Sequence, residues 1–488
     1  MPRKPKLWFD RGTLLLHPPP RGKAWIDYAT WDDRVEKFRI PALHYRDLVA
    51  ALRADRTEFL DNAGALEPLA GAANLTKTPY PHQQEALAAW QQNQEQGVVV
   101  LPTAAGKTYL AQLAIAAVGQ PALIVVPTLD LMHQWYAQLE VAFPKVDVGL
   151  LGGGSRDRAP ILIATYDSAA IHAETLGGCY GFIAFDECHH LPTEFYRSIA
   201  EFAIAPCRLG LTATPERSDG AHTELDELIG PIVYRRTAVE LSGQALAPYD
   251  VVQIKVDLTV QEREQYQAAI AKRDRFLREK RISLGGLQGW QRFVRESAKS
   301  KAGRQAMLAH RQAKELALCT AEKLKVLADA IARHTPDPIL IFTNDNQTVY
   351  RISEEFLIPA LTHQTPVKER HDILMRFREG QYNTLAASHV LNEGVDVPEA
   401  RVAIVLSGTG STREFVQRLG RVLRKGSDPN KRAVLYEVIA ADTTEERTSE
   451  RRHQEKVISF RKYEQVQRKP TPKAATKEEG YRVDPLKD

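Results

Sequence analysis

From residue 98 onward the chain alternates short apolar, β-branched runs with longer stretches of helical periodicity. The runs are VVVLP at 98–102, ALIVVP at 122–127, PILIAT at 160–165, GFIAFDE at 181–187 and RLGLTAT at 208–214. Continuous apolar runs of strand length, separated by helices, predict crossover connections on a mostly parallel sheet covered on both faces. A second series, DPILIFT at 337–343, TLAASHV at 384–390, RVAIVLSG at 401–408 and AVLYEVIA at 433–440, predicts a second α/β domain. Between the two series, 261–314 lacks strand patterning and reads as helical. Residues 1–75 mix strand-like pieces (LWFD, TLLLHP) with one helix-like stretch, PALHYRDLVAALRA. The expected division is a small N-terminal domain at 1–74, a first α/β domain at 75–250 and a basic helical insert at 251–325. A second α/β domain follows at 326–445, then a charged tail at 446–488 that is partly disordered by composition.

Composition supports this division. At 488 residues the chain is too long for one core, and 43% hydrophobic with 26% charged residues is globular. Lys+Arg 65 against Asp+Glu 61 leaves only +4, so any polyanion-binding surface must be regional. It emerges at 261–314, with 14 Lys/Arg against 5 Asp/Glu and with Tyr266, Phe276, Trp290 and Phe293 interleaved. Long cationic side chains beside aromatics suit phosphate tracking with base stacking, and Arg273, Arg278 and Arg281 are the expected contacts. Four cysteines without CxxC spacing make neither a disulfide framework nor a zinc site. The basic start is not followed by an apolar core of signal-peptide length, and the most apolar window, 98–118, carries Lys107. The expected setting is cytoplasmic and nucleoid-associated, without a membrane partner, and the expected state is a monomer.

Two segments carry chemistry. Leu101-Pro-Thr-Ala-Ala-Gly-Lys-Thr108 follows an apolar run and opens a helical pattern. In that context backbone N–H groups of Thr103, Ala104, Ala105 and Gly106 can cradle phosphates, Lys107 reaches the β- and γ-phosphates, and the Thr108 hydroxyl ligates Mg²⁺. Leu101 stands where a phosphate loop usually begins with Gly, and Ala104 at a second position where Gly would be at ease. The second segment, Gly181-Phe-Ile-Ala-Phe-Asp-Glu-Cys-His-His190, delivers two acids to the carboxyl end of a strand. Asp186 suits Mg²⁺ coordination and Glu187 suits deprotonating an attacking water. A metal site from Cys188, His189 and His190 is disfavoured, because adjacent residues on one short stretch do not easily converge on one tetrahedral ion.

With these residues the chain resembles the superfamily 2 helicases of the DEAD/DEAH-box type. Asp186-Glu-Cys-His189 looks like their DExH box, Thr212-Ala-Thr214 like motif III and Gln417-Arg-Leu-Gly-Arg-Val-Leu-Arg424 like motif VI. Pro81-His-Gln83 is similar to the adenine-reading Q motif, Val126-Pro-Thr128 to motif Ia, Ile341-Phe-Thr343 to motif IV and Asn392-Glu-Gly-Val-Asp396 to motif V. The resemblance implies two RecA-like domains closing on ATP and Mg²⁺, with Lys107, Asp186, Glu187, Gln417, Arg421 and Arg424 catalytic. It adds Gln83, Gly394 and Asp396 to the nucleotide site, and Thr128, Thr165, Tyr166 and Thr343 as nucleic-acid contacts. Within the superfamily the chain is most similar to XPB-like helicases of bacteria and archaea, through Trp31-Asp-Asp-Arg-Val-Glu-Lys-Phe-Arg-Ile-Pro-Ala42, the basic insert and the stretch after motif III. There the family carries Arg-Glu-Asp, whereas this chain has Arg217-Ser-Asp219, so Arg217 and Asp219 are expected at the strand path and unwinding is expected to be weak.

The resemblance therefore implies a DNA-stimulated ATPase that translocates on DNA, in DNA repair. A nucleic-acid-binding scaffold that recruits a nuclease or another repair factor is a second class. An RNA helicase is a third, because none of these motifs reads a 2′-hydroxyl and DNA follows from the XPB resemblance alone.

Overall fold

The computed structural model describes residues 4–217, 219–284, 287–388, 400–406 and 431–446. Three sheets organise the chain. The first, five-stranded, runs Thr30–Asp32, Lys37–Pro41, Thr13–His17, Lys6–Asp10, Leu60–Asp61, with the helix Tyr45–Ala54 in the same N-terminal unit. Leu7, Leu14, Leu16 and Ile40 of its strands and Leu48 and Leu52 of the helix form one core.

The second sheet has the order Ile232–Arg235, Gln96–Val100, Cys207–Thr212, Phe182–Asp186, Ala122–Val126, Ile161–Thr165, Val148–Gly152, Ser155–Arg156. Every pairing is parallel except the last. The apolar runs are buried throughout because helices cover both faces, and successive residues alternate between two cores. Ala122, Ile124, Phe182 and Ala184 belong to one core, Leu123, Val125, Ile183 and Phe185 to the other. In register, Thr212 pairs with Val100 and Asp186 with Leu211, so three neighbouring strands end together. That shared edge is where the glycine loop, the two acids and Thr-Ala-Thr meet.

The third sheet, also parallel, has the order Tyr249–Val256, Ala433–Ala440, Val402–Val405, Ile339–Phe342, Thr384–Ala387, Ala360–Leu361. The molecule is therefore an α/β protein with two doubly wound units and a small N-terminal sheet domain. Tyr249–Val256 pairs with Ala433–Ala440 over eight residues, which differs from the expected boundary at 250, since 251–256 lie in the second unit's sheet. The pattern hid this edge strand because Asp250, Gln253 and Lys255 interrupt its apolar run.

The basic segment is three helices, Val260–Glu279, Leu287–Ala298 and Lys301–Leu318. Tyr266, Ala269, Ala309 and Ala313 pack the first helix against the third, and Phe276, Phe293 and Ala306 close the end where the second helix lies. No described helix is long and apolar enough to cross a membrane. Motif V with Gly394 and Asp396, motif VI with Gln417, Arg421 and Arg424, Ser218 and the tail from 447 lie outside the described residues.

Candidate active site

The strand Gln96–Val100 leads into a loop that ends at the helix Lys107–Val118. Gly106 caps the helix at φ 82°, and Ala104 adopts φ 69° although it has a side chain. A non-glycine residue there costs on the order of 1 kcal/mol, which the surrounding structure must offset. The loop is buttressed from outside: His82 Nε2 lies 2.8 Å from Ala105 O, and Gln83 Nε2 donates to Gly106 O at 3.0 Å. Among the described residues the buried Thr103 hydroxyl has no hydrogen-bond partner. A Cβ on Gly106 would lie 2.3 Å from Gln83 Nε2. An orphaned donor and a glycine cradle at a helix N-terminus fit a phosphate group.

Across the loop, Phe182–Asp186 presents its acids at the strand end. Glu187 has φ 50° and ψ 53°, so the backbone turns left-handed immediately after the strand. Lys107 Nζ lies 3.3 Å from Glu187 Oε1. Thr212 Oγ1 donates to Glu187 Oε2 at 3.3 Å, and His189 Nδ1 lies 3.2 Å from Thr212 Oγ1. Asp186 accepts from Trp135 Nε1 at 2.9 Å and from Glu187 N at 3.0 Å. Burial, then the charge of Glu187, pushes the Asp186 carboxyl up to about 6. Burial acts on Glu187 in the same sense, but the Lys107 ammonium and His189 outweigh it and hold that carboxyl well below the usual range. The two acids thus take opposite roles: Glu187 stays ionised, while Asp186 is a desolvated carboxyl that an added cation would stabilise in its charged form. Asp186 and Thr108 are the residues that would hold a Mg²⁺. Burial pushes the Cys188 thiol up as well.

The structure brings together Gln83, Thr103, Ala104, Ala105, Gly106, Lys107, Thr108, Asp186 and Glu187 around the glycine loop. Several expected nucleic-acid contacts are placed differently. Tyr166 is 2% exposed, and its hydroxyl donates to Asp186 O at 3.1 Å, so it props the acidic turn from beneath instead of meeting phosphate. Thr165 is buried as the N-cap of Tyr166–Ile171, accepting from Ser168 N. Thr343 is wholly buried and donates to Asp345 O. Arg273 is paired with Asp274 at 2.7 Å. Thr128 is half-buried and caps Leu129–Ala142. The Arg217 guanidinium is bound at three of its five N–H groups, with Nε and Nη2 on the Asp219 carboxylate at 3.0 and 2.6 Å and Nη1 on His189 O at 2.7 Å. Arg278 and Arg281 are exposed on the basic insert.

Sequence reasoning missed His82 and Trp135. His82 stands next to Gln83 within a recognised motif, so its position was a usable signal. Trp135 lies 51 positions from its carboxylate partner within an apolar helix, and no local pattern marks it.

Three family profiles match the chain. They are the type III restriction enzyme res subunit over residues 76–217, the Xeroderma pigmentosum group B helicase damage recognition domain over 7–63 and the helicase conserved C-terminal domain over 322–426. The DNA 3′-5′ translocase XPB2 of Sulfurisphaera tokodaii is 38% identical over 434 residues, 87% of this chain and 95% of the relative. The DNA 3′-5′ helicase XPB of Kineococcus radiotolerans is 31% identical across 79% of this chain, and that of Mycobacterium tuberculosis 30% identical across 71%. This chain spans 64% and 58% of the lengths of those two proteins. The crystal structure of the Pyrococcus furiosus Hef helicase domain aligns with a TM-score of 0.49 and 20% identity, covering 76% of this chain and 97% of that one. With the phosphate loop, the DExH turn and the N-terminal domain in one polypeptide, and with a relative matched along almost its whole length, this chain belongs to the XPB family of superfamily 2 DNA helicases and translocases.

Proposed function

We propose that the chain hydrolyses ATP at the Lys107–Glu187 site and uses the cycle, in DNA repair, to move 3′ to 5′ on DNA, the direction that the names of its translocase and helicase relatives give for them. The observation that carries this reading is the 3.3 Å pairing of Lys107 with Glu187 at the mouth of a left-handed glycine loop. Lys107 exchanges its carboxylate partner for the phosphates of an entering nucleotide, which releases Glu187 toward the γ-phosphate side. Glu187, steered by Thr212 and His189, then accepts the proton of the attacking water. Mg²⁺ held at Thr108 and Asp186 would neutralise phosphate charge. Arg421 and Arg424 are proposed to complete the site from the second unit, where arginines stabilise charge developing in phosphoryl transfer. Nucleic-acid contact is proposed for the exposed arginines of the helical insert.

Steady-state ATP turnover against single-stranded DNA, duplex DNA, forks and RNA tests this reading. The expected result is stimulation by DNA and not by RNA. Stimulation by RNA alone would favour an RNA helicase, and absence of turnover with any nucleic acid would favour a scaffold.

A further inference from the structure

Two buried aromatic side chains, carried by two different helices, meet the turn that holds Asp186 and Glu187. Trp135 is wholly buried in the helix Leu129–Ala142, and its Nε1 donates to Asp186 Oδ2 at 2.9 Å. The backbone N–H of Glu187 donates to the other oxygen, Asp186 Oδ1, at 3.0 Å. Each carboxylate oxygen therefore carries one fixed donor and keeps a lone pair for a further partner. An indole packed in the core of the sheet cannot follow a rotating side chain, so its N–H selects one orientation of the Asp186 carboxylate.

Tyr166 meets the same turn from the start of the helix Tyr166–Ile171, and it acts on backbone. Its hydroxyl donates to Asp186 O at 3.1 Å and lies 3.5 Å from Glu187 O. In a trans peptide C=O and N–H point in opposite directions. The peptide between Asp186 and Glu187 is thus pinned on both sides, its carbonyl by Tyr166 and its N–H by the Asp186 carboxylate. Glu187 follows at φ 50°, a strained conformation for a residue with a side chain, which persists only where its surroundings impose it. The direction in which the Glu187 side chain leaves the turn, toward Lys107 and Thr212, depends on that strain being held.

We infer that Trp135 and Tyr166 are positioning residues of the acid pair with separate tasks, Trp135 setting the Asp186 carboxylate for Mg²⁺ and Tyr166 aiming Glu187 at the water it deprotonates. This rests on the nucleotide-hydrolysing reading above. Separate tasks give separate signatures. Trp135→Phe removes a hydrogen bond to a charged group, so the Mg²⁺ concentration for half-maximal nucleotide binding should rise by about 10–100-fold. Tyr166→Phe removes a hydrogen bond between neutral groups and leaves both Asp186 oxygens their donors. Nucleotide and Mg²⁺ binding should then stay as in the wild type while kcat falls about fivefold.

The test titrates Mg²⁺ against binding of N-methylanthraniloyl-labelled ATP, and measures kcat and KM on DNA, for the full-length wild type, Trp135→Phe and Tyr166→Phe. A Mg²⁺ shift confined to Trp135→Phe, with a kcat loss at unchanged KM in Tyr166→Phe, supports the inference. Trp135→Phe also leaves a space in the core, so a further variant carries benzothienylalanine at position 135, which keeps the fused-ring shape and has sulfur in place of the N–H. That variant decides if Trp135→Phe does not fold. Wild-type behaviour in both variants would show the bonds to be idle, and a loss of binding and turnover by a common factor in each would show a purely structural role; either overturns the inference. If the wild type binds no nucleotide with Mg²⁺ and Lys107→Ala behaves identically, the nucleotide-hydrolysing reading falls and this inference falls with it.

Discussion

Lys323 sits in the first turn of the helix Ala321–His334, yet it is wholly buried. Its Nζ lies 2.6 Å from Glu445 Oε2 and 2.5 Å from Leu406 O, and Glu445 Oε2 also accepts from Ala440 N at 3.1 Å. The pair therefore ties a helix start to the ends of two strands of the second unit. Removing one partner leaves an uncompensated buried charge, so Lys323→Ala should lower stability by about 3–5 kcal/mol. The double variant Lys323→Met with Glu445→Gln should lose clearly less. Denaturant unfolding of both variants checks this, and equal losses would show that packing and not charge dominates. Nothing in the sequence marks this pair, because its members are 122 positions apart and a lysine in a helix reads as solvated. Lys107, Asp186 and Glu187 were legible because short motifs encode the local backbone that carries them. What each carboxylate touches was not legible, since Trp135 and Thr212 come from other elements.

At the scale of elements, the buried strands declared themselves by β-branched runs, and the edge strands did not. Val148–Gly152 carries Gly149 as its second residue and Gly152 as its last, and is only partly buried, so no continuous β-branched run appears. The insert was legible as helical and basic, but charge counting could not separate its arginines. Arg273 is largely covered beside Asp274, at 12% side-chain exposure, whereas Arg278 and Arg281 stand in solvent. If the insert tracks DNA, Arg278→Gln and Arg281→Gln should each flatten the slope of log K against log salt by about 0.7–0.9. Arg273→Gln should leave that slope unchanged. Duplex and single-strand titrations between low and moderate salt measure it, and an unchanged slope in folded Arg278 and Arg281 variants would return this face to an ordinary solvated role.

Over the whole molecule, the N-terminal unit does not hang free of the first α/β unit. Ile204, from the loop before Cys207–Thr212, belongs to the N-terminal core. Arg46 donates to Pro206 O at 3.2 Å and to Gln94 Oε1 at 2.9 Å. Phe9 lies so close to Gly178 that a Cβ there would be 2.5 Å from its ring. The sequence showed the N-terminal unit only as strand-like pieces and a helix, because its seat is built from glycines and backbone carbonyls that carry no pattern. All these parts serve one central claim, that Glu187 drives a nucleotide cycle coupled to DNA. The most direct test compares ATP binding and DNA-stimulated turnover for the wild type, Lys107→Ala and Glu187→Gln. Lys107→Ala should lose binding and turnover together. Glu187→Gln should bind ATP much as the wild type does while turnover on DNA falls by about 10²–10⁴, the range of a positioned general base. Near-normal turnover in Glu187→Gln would contradict the account.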